Sequence, residues 1–212
     1  MHSFLEFVIR HHAEIWQSTL EHIGLVAVTM LLATAIGVPL GILVTRRPWL
    51  SRPILGAANI AETIPSLALF GFLLPVPWLG ARADRLTVVA LTLYALLPII
   101  RNTVAGIHGV DPAVTESARA MGMTDRQILF HVELPLSISY LLAGIRVATV
   151  LTIGIATIAA AVGAGGLGEF IFRGLAMVNN EVILAGAIPA AVLAILADVI
   201  LGGLENRLRY RR

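Results

Sequence analysis

Apolar runs of about twenty residues recur along this chain of 212 residues, and they constrain its fold more than any other feature. A run of that length can cross the hydrocarbon core of a bilayer as one helix. Charged residues make up only 13% of the chain, whereas a soluble domain usually carries about 25%. Too few charges are present to cover a soluble globule, so the sequence predicts an all-α, polytopic membrane protein.

A window of about twenty residues predicts roughly five transmembrane helices. The second contains Glu62 and Pro65, and the third contains Pro98 and Arg101. These spans define a membrane domain over residues 23–204, between an N-terminal segment (1–22) and a basic tail (205–212). The five predicted spans are 23–45, 54–74, 86–104, 138–162 and 182–204.

The N-terminal segment has a short apolar stretch that is interrupted by Arg10 and a His pair. It lacks a basic start and a small-residue cleavage site, so we predict no cleaved signal peptide. We expect an amphipathic segment on the membrane surface. The side chains expected against lipid are Phe4, Leu5, Val8 and Ile9.

The distribution of arginine predicts the orientation, because basic residues favour the cytoplasmic side. All 15 basic residues are arginine. If the spans alternate, most of these arginines fall on one side, so the N-terminus is predicted outside and the C-terminus in the cytoplasm. The arginines on the cytoplasmic side are Arg46, Arg47, Arg52, Arg101, Arg119, Arg126, Arg207, Arg209, Arg211 and Arg212. Those left outside are Arg10, Arg82, Arg85 and Arg173.

The longest polar stretch, residues 109–135, begins with strong local helix signals. Asp111 can cap a helix that has Pro112 at its first position, where a missing N–H has no cost. Gly122 can adopt the left-handed geometry that ends such a helix. The sequence predicts a short first helix between these residues.

A second helix is predicted to follow at Thr124, because Gln127 three residues later completes a capping box. It places Ile128 and Val132 on one apolar side and is expected to stop before Leu134–Pro135. Two short helices outside the membrane form a docking surface, although such a pair can also be a connector that packs on its own spans. A DNA-binding helix-turn-helix is disfavoured, because acidic residues offset the arginines and both ends are tethered to membrane.

The 109–135 segment resembles the EAA loop of bacterial ABC importer permeases. It carries Glu116-Ser-Ala118, then Gly122, then Val132-Glu-Leu-Pro135. Ser117 stands where that family has alanine, and Val132 replaces the commoner isoleucine. In that family the loop inserts into a cleft on the ATP-binding subunit. The resemblance therefore implies coupling to an ATPase through Glu116, Ser117, Ala118, Gly122, Ile128, Val132, Leu134 and Pro135.

The resemblance extends from about Glu62 to Arg173, where the chain is similar to permeases for osmoprotectants. It rests on ETIPSLALFGF, YALLPIIRNTVAGIHGVDP and AAVGAGGLGEFIFRG. It implies import of glycine betaine, carnitine or choline, with ATPase subunits inside, a solute-binding protein outside and a second permease copy, either identical or similar. Membrane lipid is the surrounding partner, and no nucleic acid or cofactor is implied.

Polar and aromatic residues inside the spans are candidates for the translocation path. An ionisable residue in a span normally faces protein or a watery cavity, so Glu62 either lines the path or packs through hydrogen bonds. Arg101 either lines an inner gate or extends to the interface. Aromatic faces hold quaternary ammonium groups, so Tyr94 is a candidate, although spacing defines no aromatic cage and such residues in spans more often face lipid or the core. The other aromatic candidates for such a contact are Phe70, Phe72, Phe170 and Phe172. The full set of path candidates is Glu62, Thr63, Pro65, Tyr94, Arg101 and Asn102.

Two further patterns point away from bond chemistry. Gly163, Gly165 and Gly168 fit a dinucleotide-binding pattern, but that motif needs a preceding strand, and a membrane helix is predicted here. We expect these glycines to allow a tight re-entry at the outer mouth. The chain has no cysteine and its histidines lack metal-ligand spacing, so neither a disulfide nor a metal site is predicted. The resemblance to a permease implies that the chain catalyses no bond chemistry.

Two other transport functions remain as alternatives. An importer permease of the same kind could carry another small solute, such as methionine or a sulfonate. An ion-coupled secondary transporter would need no ATPase, and it is disfavoured because such a protein would carry more intramembrane acids.

Overall fold

The computed structural model describes residues 2–208, and these residues are almost entirely helical. Four helices are long and apolar enough to cross a membrane, or five if one bent pair counts as a span. The predicted all-α fold with about five spans is therefore confirmed. The helices are α1 (His2–Arg46), α2 (Ser51–Thr63), α3 (Ser66–Leu73), α4 (Pro77–Gly80), α5 (Ala83–His108), α6 (Pro112–Ala120), α7 (Asp125–Ile128), α8 (Leu134–Ala159), α9 (Gly168–Met177) and α10 (Asn180–Leu208).

Helix α1 continues from the N-terminal segment into the first span, with non-helical backbone angles at His11. Phe4, Phe7 and Ile15 pack against a cluster formed by α9 and α10, whereas Leu5 and Ile9 remain exposed. Phe4 was expected against lipid, and that expectation is wrong because α10 offers it an apolar surface within the chain. The cluster consists of Phe170, Val182 and Ala185.

Helix α5 lies at the centre of the bundle, between α1 and α8, and most of its apolar side chains are buried. Glycines let its neighbours approach closely, as in other membrane helix pairs. A Cβ atom at Gly41 of α1 would lie 2.6 Å from the Cβ of Thr103, and one at Gly144 of α8 would lie 2.7 Å from the Cβ of Asn102. These contacts fix α1, α5 and α8 as one packed unit.

The second predicted span is broken in the structure. Helix α2 ends at Thr63, and the next two residues, Ile64 and Pro65, have extended backbone angles. Helix α3 is bent by 102° relative to the helical stretch Pro48–Thr63. Proline lacks an N–H and disfavours helical angles in the residue before it. The expectation of a continuous span over 54–74 is therefore wrong, because the chain changes direction at Ile64 and Pro65.

The 109–135 segment contains the two predicted helices, α6 and α7, but the second does not stop before Leu134–Pro135. A π-helical turn, Leu129–Glu133, carries the chain directly into α8. The N–H of Leu134 donates to the carbonyl of Leu129, five residues back. Pro135 falls in the first turn of α8, where proline is tolerated, so it begins the long helix instead of ending the short one.

The connection after α8 makes a tight turn through glycines. Gly163, Gly165 and Gly166 all have φ near +80°, a region that favours glycine. A Cβ at Gly168 would lie 2.0 Å from the carbonyl oxygen of Thr157, so that glycine allows α9 to pack against α8. Helix α8 precedes these glycines where a nucleotide-binding motif needs a strand, so the match to that motif is accidental.

Candidate functional site

The turn between α6 and α7 has the left-handed geometry predicted at Gly122. Its φ is +87°. The N–H of Gly122 donates to Arg119 at 3.0 Å, and the N–H of Met123 donates to Ala118 at 3.2 Å. These two bonds form a Schellman motif, which satisfies the last carbonyls of α6. The turn therefore holds the two helices of the 109–135 segment in a defined arrangement.

Both helix starts in this segment are capped as predicted. The carboxylate of Asp111 accepts a hydrogen bond from the N–H of Ala113 at 2.9 Å. Thr124 and Gln127 make the reciprocal capping box, with the side-chain oxygen of Gln127 2.8 Å from the N–H of Thr124. Arg119 of α6 also pairs with Asp125 of α7 at 3.1 Å, although both side chains are exposed. The caps define where α6 and α7 begin, and the ion pair joins the two helices.

The candidate coupling residues divide into an exposed and a buried group. Glu116 and Ser117 are exposed, whereas Ala118 and Ile128 are each only 2% exposed. Since α6 packs on α7 and on the π-helical turn, the buried pair supports the segment from within. Val132, Leu134 and Pro135 are half-buried. Large apolar side chains that the segment leaves exposed are Val114, Met121 and Phe130.

The break between α2 and α3 brings four of the path candidates together. Glu62, Thr63 and Pro65 are exposed around it, and Tyr94 of α5 is buried beside it. The hydroxyl of Tyr94 donates to the carbonyl of Ile64, which has no intrahelical partner because the helix ends there. The break is thus fastened to the central helix.

Arg101 and Asn102 lie nearly two turns further along α5 and contact other partners. The guanidinium of Arg101 is exposed and donates to the side-chain oxygen of Asn59 in α2 at 3.1 Å. The amide of Asn102 donates to the carbonyl of Pro98 at 2.8 Å. Helix α2 is therefore tied to α5 both at the break and near the end of α5.

Sequence reasoning missed Arg146, which lies in the middle of α8. Its guanidinium forms a fork with Asp198 of α10, at 2.6 and 2.8 Å, and reaches Glu205 at 3.4 Å. A Cβ at Gly202 would lie 3.0 Å from this guanidinium, so the glycine leaves room for it. The sequence did contain a signal for Arg146, because a single charged residue within an apolar span requires a partner inside the protein.

The glycine connection after α8 is bonded to α1. The N–H of Gly166 lies 3.4 Å from a carboxylate oxygen of Glu21. His22 is fully buried, with its Nε2 3.2 Å from the carbonyl of Ile153. Closer to the start of α1, Glu14 pairs with Arg173 of α9 at 2.7 Å. These contacts fix the end of the bundle opposite to the 109–135 segment. No group of His, Asp or Glu within residues 2–208 is arranged to hold a metal ion.

A family model described as "binding-protein-dependent transport system inner membrane component" matches residues 37–210. This match includes the broken span and the whole 109–135 segment. The chain belongs to this family. The permease is therefore a subunit of an ATP-driven importer and not an enzyme, and it is a multi-pass protein of the inner membrane. Membership implies a separate ATPase and a solute-binding protein as partners.

Similar proteins agree with this assignment and with the resemblance predicted from the sequence. The permease is 44% identical over 190 residues to the carnitine transport permease protein OpuCB of Listeria monocytogenes, covering 90% of this chain and 86% of that one. It is 48% identical over 180 residues to the glycine betaine/carnitine/choline transport system permease protein OpuCD of Bacillus subtilis strain 168, covering 84% and 77%. The inward-facing MetNI methionine ABC transporter superposes with a TM-score of 0.81 at 25% identity, over 91% and 94% of the two chains.

Proposed function

We propose that this permease forms the translocation path for a quaternary-amine osmoprotectant, namely glycine betaine, carnitine or choline. The observation that carries the proposal is the identity to osmoprotectant permeases, which is 44% and 48% over most of the chain. Identity to the methionine transporter is only 25%, although the fold is shared. Methionine or a sulfonate is therefore the second candidate substrate.

The 109–135 segment is proposed to couple ATP hydrolysis to transport. Its two capped helices present Glu116, Ser117 and exposed apolar side chains outward, while Ala118 and Ile128 support them from within. Because the π-helical turn leads without interruption into α8, a displacement of the segment reaches a membrane span directly. Closure of the ATPase dimer would in this way switch the spans between inward-facing and outward-facing states.

The orientation is proposed to be N-terminus outside and C-terminus in the cytoplasm. Arg46, at the end of α1, pairs with Glu133, just before α8, so these two ends lie on the same side. Glu14 and Arg173 pair at the other end of the bundle. The arginines after α1 and in the tail then select the cytoplasmic side, although residues 209–212 of the tail lie outside the described part.

The break between α2 and α3 is proposed to line the path of a dimer. Glu62 and Thr63 are exposed on the surface of the single chain, and a carboxylate facing lipid would be costly. A second copy, or a similar permease, across from this surface would enclose them in a watery pathway. In that arrangement Pro65 turns the chain, Tyr94 and Arg101 position α2, and Asn102 lies next to Arg101 on α5.

Transport by the purified importer in proteoliposomes tests the function. We expect ATP-dependent uptake of labelled glycine betaine, carnitine or choline when the ATPase and the binding protein are present. Uptake of methionine in preference to all three would overturn the substrate class. Uptake that persists without the ATPase would instead indicate a secondary transporter. Protease protection of the 109–135 segment from outside checks the orientation in the same vesicles.

A further inference from the structure

Glu133 is the one acidic side chain that is buried within residues 2–208, with 7% of its surface exposed. Its carboxylate accepts a hydrogen bond from the guanidinium of Arg46. A charge in such a place needs a partner, because burial removes the stabilisation that water supplies. Arg46 comes from α1, 87 residues earlier in the chain. The pair thus joins the 109–135 segment to a span with which it is not continuous.

Arg46 lies at the end of α1, and Glu133 lies where the π-helical turn passes into α8. Arg46 is the last residue of α1, where a cation interacts favourably with the helix dipole. Glu133 is the last residue of the π-helical turn, directly before α8. The extra residue in a π-helical turn sets the direction in which following side chains leave the helix, and such turns are frequent at functional sites. Here the turn directs Glu133 towards the end of α1.

Helix α5 brings these ends close together. Near its own end, α5 packs tightly on α1 through Gly41, whose Cβ position would be 3.2 Å from the carbonyl of Ile100. It packs equally tightly on α8 through Gly106, whose Cβ position would be 2.9 Å from the Cβ of Ser137. Helix α5 is therefore in close contact with both α1 and α8, in each case through a glycine. The contact between α1 and the 109–135 segment contains the Arg46–Glu133 pair.

We propose that the Arg46–Glu133 pair is a strut that moves α1 together with the 109–135 segment during the transport cycle. Chain continuity transmits a displacement of the segment to α8, whereas the strut transmits it to α1. Apolar contacts can slide past one another, but a charge-assisted hydrogen bond to the buried carboxylate of Glu133 holds one register. Arg46 and Glu133 are positioning residues in this inference, which rests on the proposed coupling role of the 109–135 segment.

The test compares variants of the assembled importer in proteoliposomes by the number of solute molecules imported per ATP hydrolysed. Glu133→Gln keeps the shape of the side chain and removes its charge. We expect it to lower this ratio by about fivefold or more, the lower range of measured coupling between linked sites. Arg46→Gln should act in the same way, and it tests the pair independently if the Glu133 variant does not assemble. Arg46→Lys, which keeps the charge, and the exchange Arg46→Glu with Glu133→Arg should recover part of the ratio.

A control pair and a control glycine separate the possible failures. Arg82→Gln and Asp84→Asn remove an exposed ion pair at the start of α5, outside the 109–135 segment, and they should leave the ratio unchanged. Gly122→Val tests the coupling role of the segment itself. A parental ratio in both Glu133→Gln and Arg46→Gln, with Gly122→Val defective, would overturn the strut alone. A parental ratio in all three would overturn the proposed coupling role too. A ratio lowered in the single variants and not recovered by Arg46→Lys or by the exchange would also overturn the strut.

Discussion

The hydroxyl of Tyr94 donates a hydrogen bond to the carbonyl of Ile64, the residue at which the second membrane span breaks. This carbonyl would otherwise lack a partner, because Pro65 follows it and the helix ends. Tyr94 belongs to the central helix α5 and is only 6% exposed. One side chain thus fastens an interrupted helix to the most buried helix of the bundle.

Replacing Tyr94 with phenylalanine should destabilise the permease by about 0.5–1.5 kcal/mol, because the hydrogen bond that fastens the break to α5 is lost. Thermal unfolding in detergent measures the change. Tyr140→Phe is the matched control, since Tyr140 is 41% exposed and its hydroxyl makes no hydrogen bond within residues 2–208. An equal loss of stability in both variants would contradict the role assigned to the Tyr94 hydroxyl.

The Arg146 cluster predicts an order of effects among its members. Arg146→Met leaves Asp198 and Glu205 without a cation, so two carboxylates remain close together. Asp198→Asn is milder, because Arg146 keeps Glu205 at 3.4 Å. We expect the first variant to lose more thermal stability than the second, because it removes every hydrogen bond of the cluster whereas the second keeps the one to Glu205. Thermal unfolding of the two variants and of the double variant checks this order. The reverse order would show that Asp198 is not the main partner.

Local signals made the 109–135 segment predictable from the sequence. The caps at Asp111 and Thr124 and the turn at Gly122 each depend on residues no more than a few positions apart, so a short window contains the whole cause. The continuation through Pro135 was missed because a π-helical turn has no comparable signature. Proline looked like a stop, although it falls in the first turn of α8.

Contacts between distant helices were not predictable in the same way. A hydropathy window averages over about twenty residues, so it detects the apolar run over 54–74. It does not detect a change of chain direction at Ile64 and Pro65. Arg146 and Asp198 are 52 residues apart, and their pairing depends on how α8 and α10 are rotated against each other. The sequence shows that each charge needs a partner, but only packing selects which one.

Val178 is the one residue other than glycine with positive φ in the described part of the chain. It ends α9 at φ +51° and is 88% exposed. Because a β-branched side chain is unfavourable in this region, Val178→Gly should raise the free energy of unfolding by about 1 kcal/mol. Val114→Gly, at an exposed site inside α6, should lower it by about 0.5 kcal/mol. Thermal unfolding of both variants tests the signs. Destabilisation by Val178→Gly would show that its side chain makes contacts that offset the strain.

Gly122 permits a prediction that separates backbone strain from steric contact. A Cβ at this position meets nothing within 4 Å, so a substitution there acts through its φ of +87° alone. Gly122→Val should distort the turn at a cost of about 1–3 kcal/mol and weaken ATPase association while membrane insertion is intact. Gly122→Asn is the control, because asparagine tolerates left-handed geometry. Co-purification of the ATPase measures the effect. Equal association of both variants with the ATPase would contradict a role for this turn in docking.

A substitution at Glu62 tests whether this residue lines the translocation path or only packs against protein. It is exposed beside the break and makes no hydrogen bond or ion pair within residues 2–208, so Glu62→Gln should change the free energy of unfolding by no more than about 0.5 kcal/mol. If Glu62 lines the path of a solute with a quaternary ammonium group, the variant should nevertheless lower the maximal transport rate, with ATPase association unchanged. Glu169→Gln, at another exposed carboxylate of the permease, is the control and should transport at the parental rate. A Glu62 variant that is as stable and as active as the parent would remove it from the path. A variant that unfolds at lower temperature would instead show that Glu62 packs against the second copy.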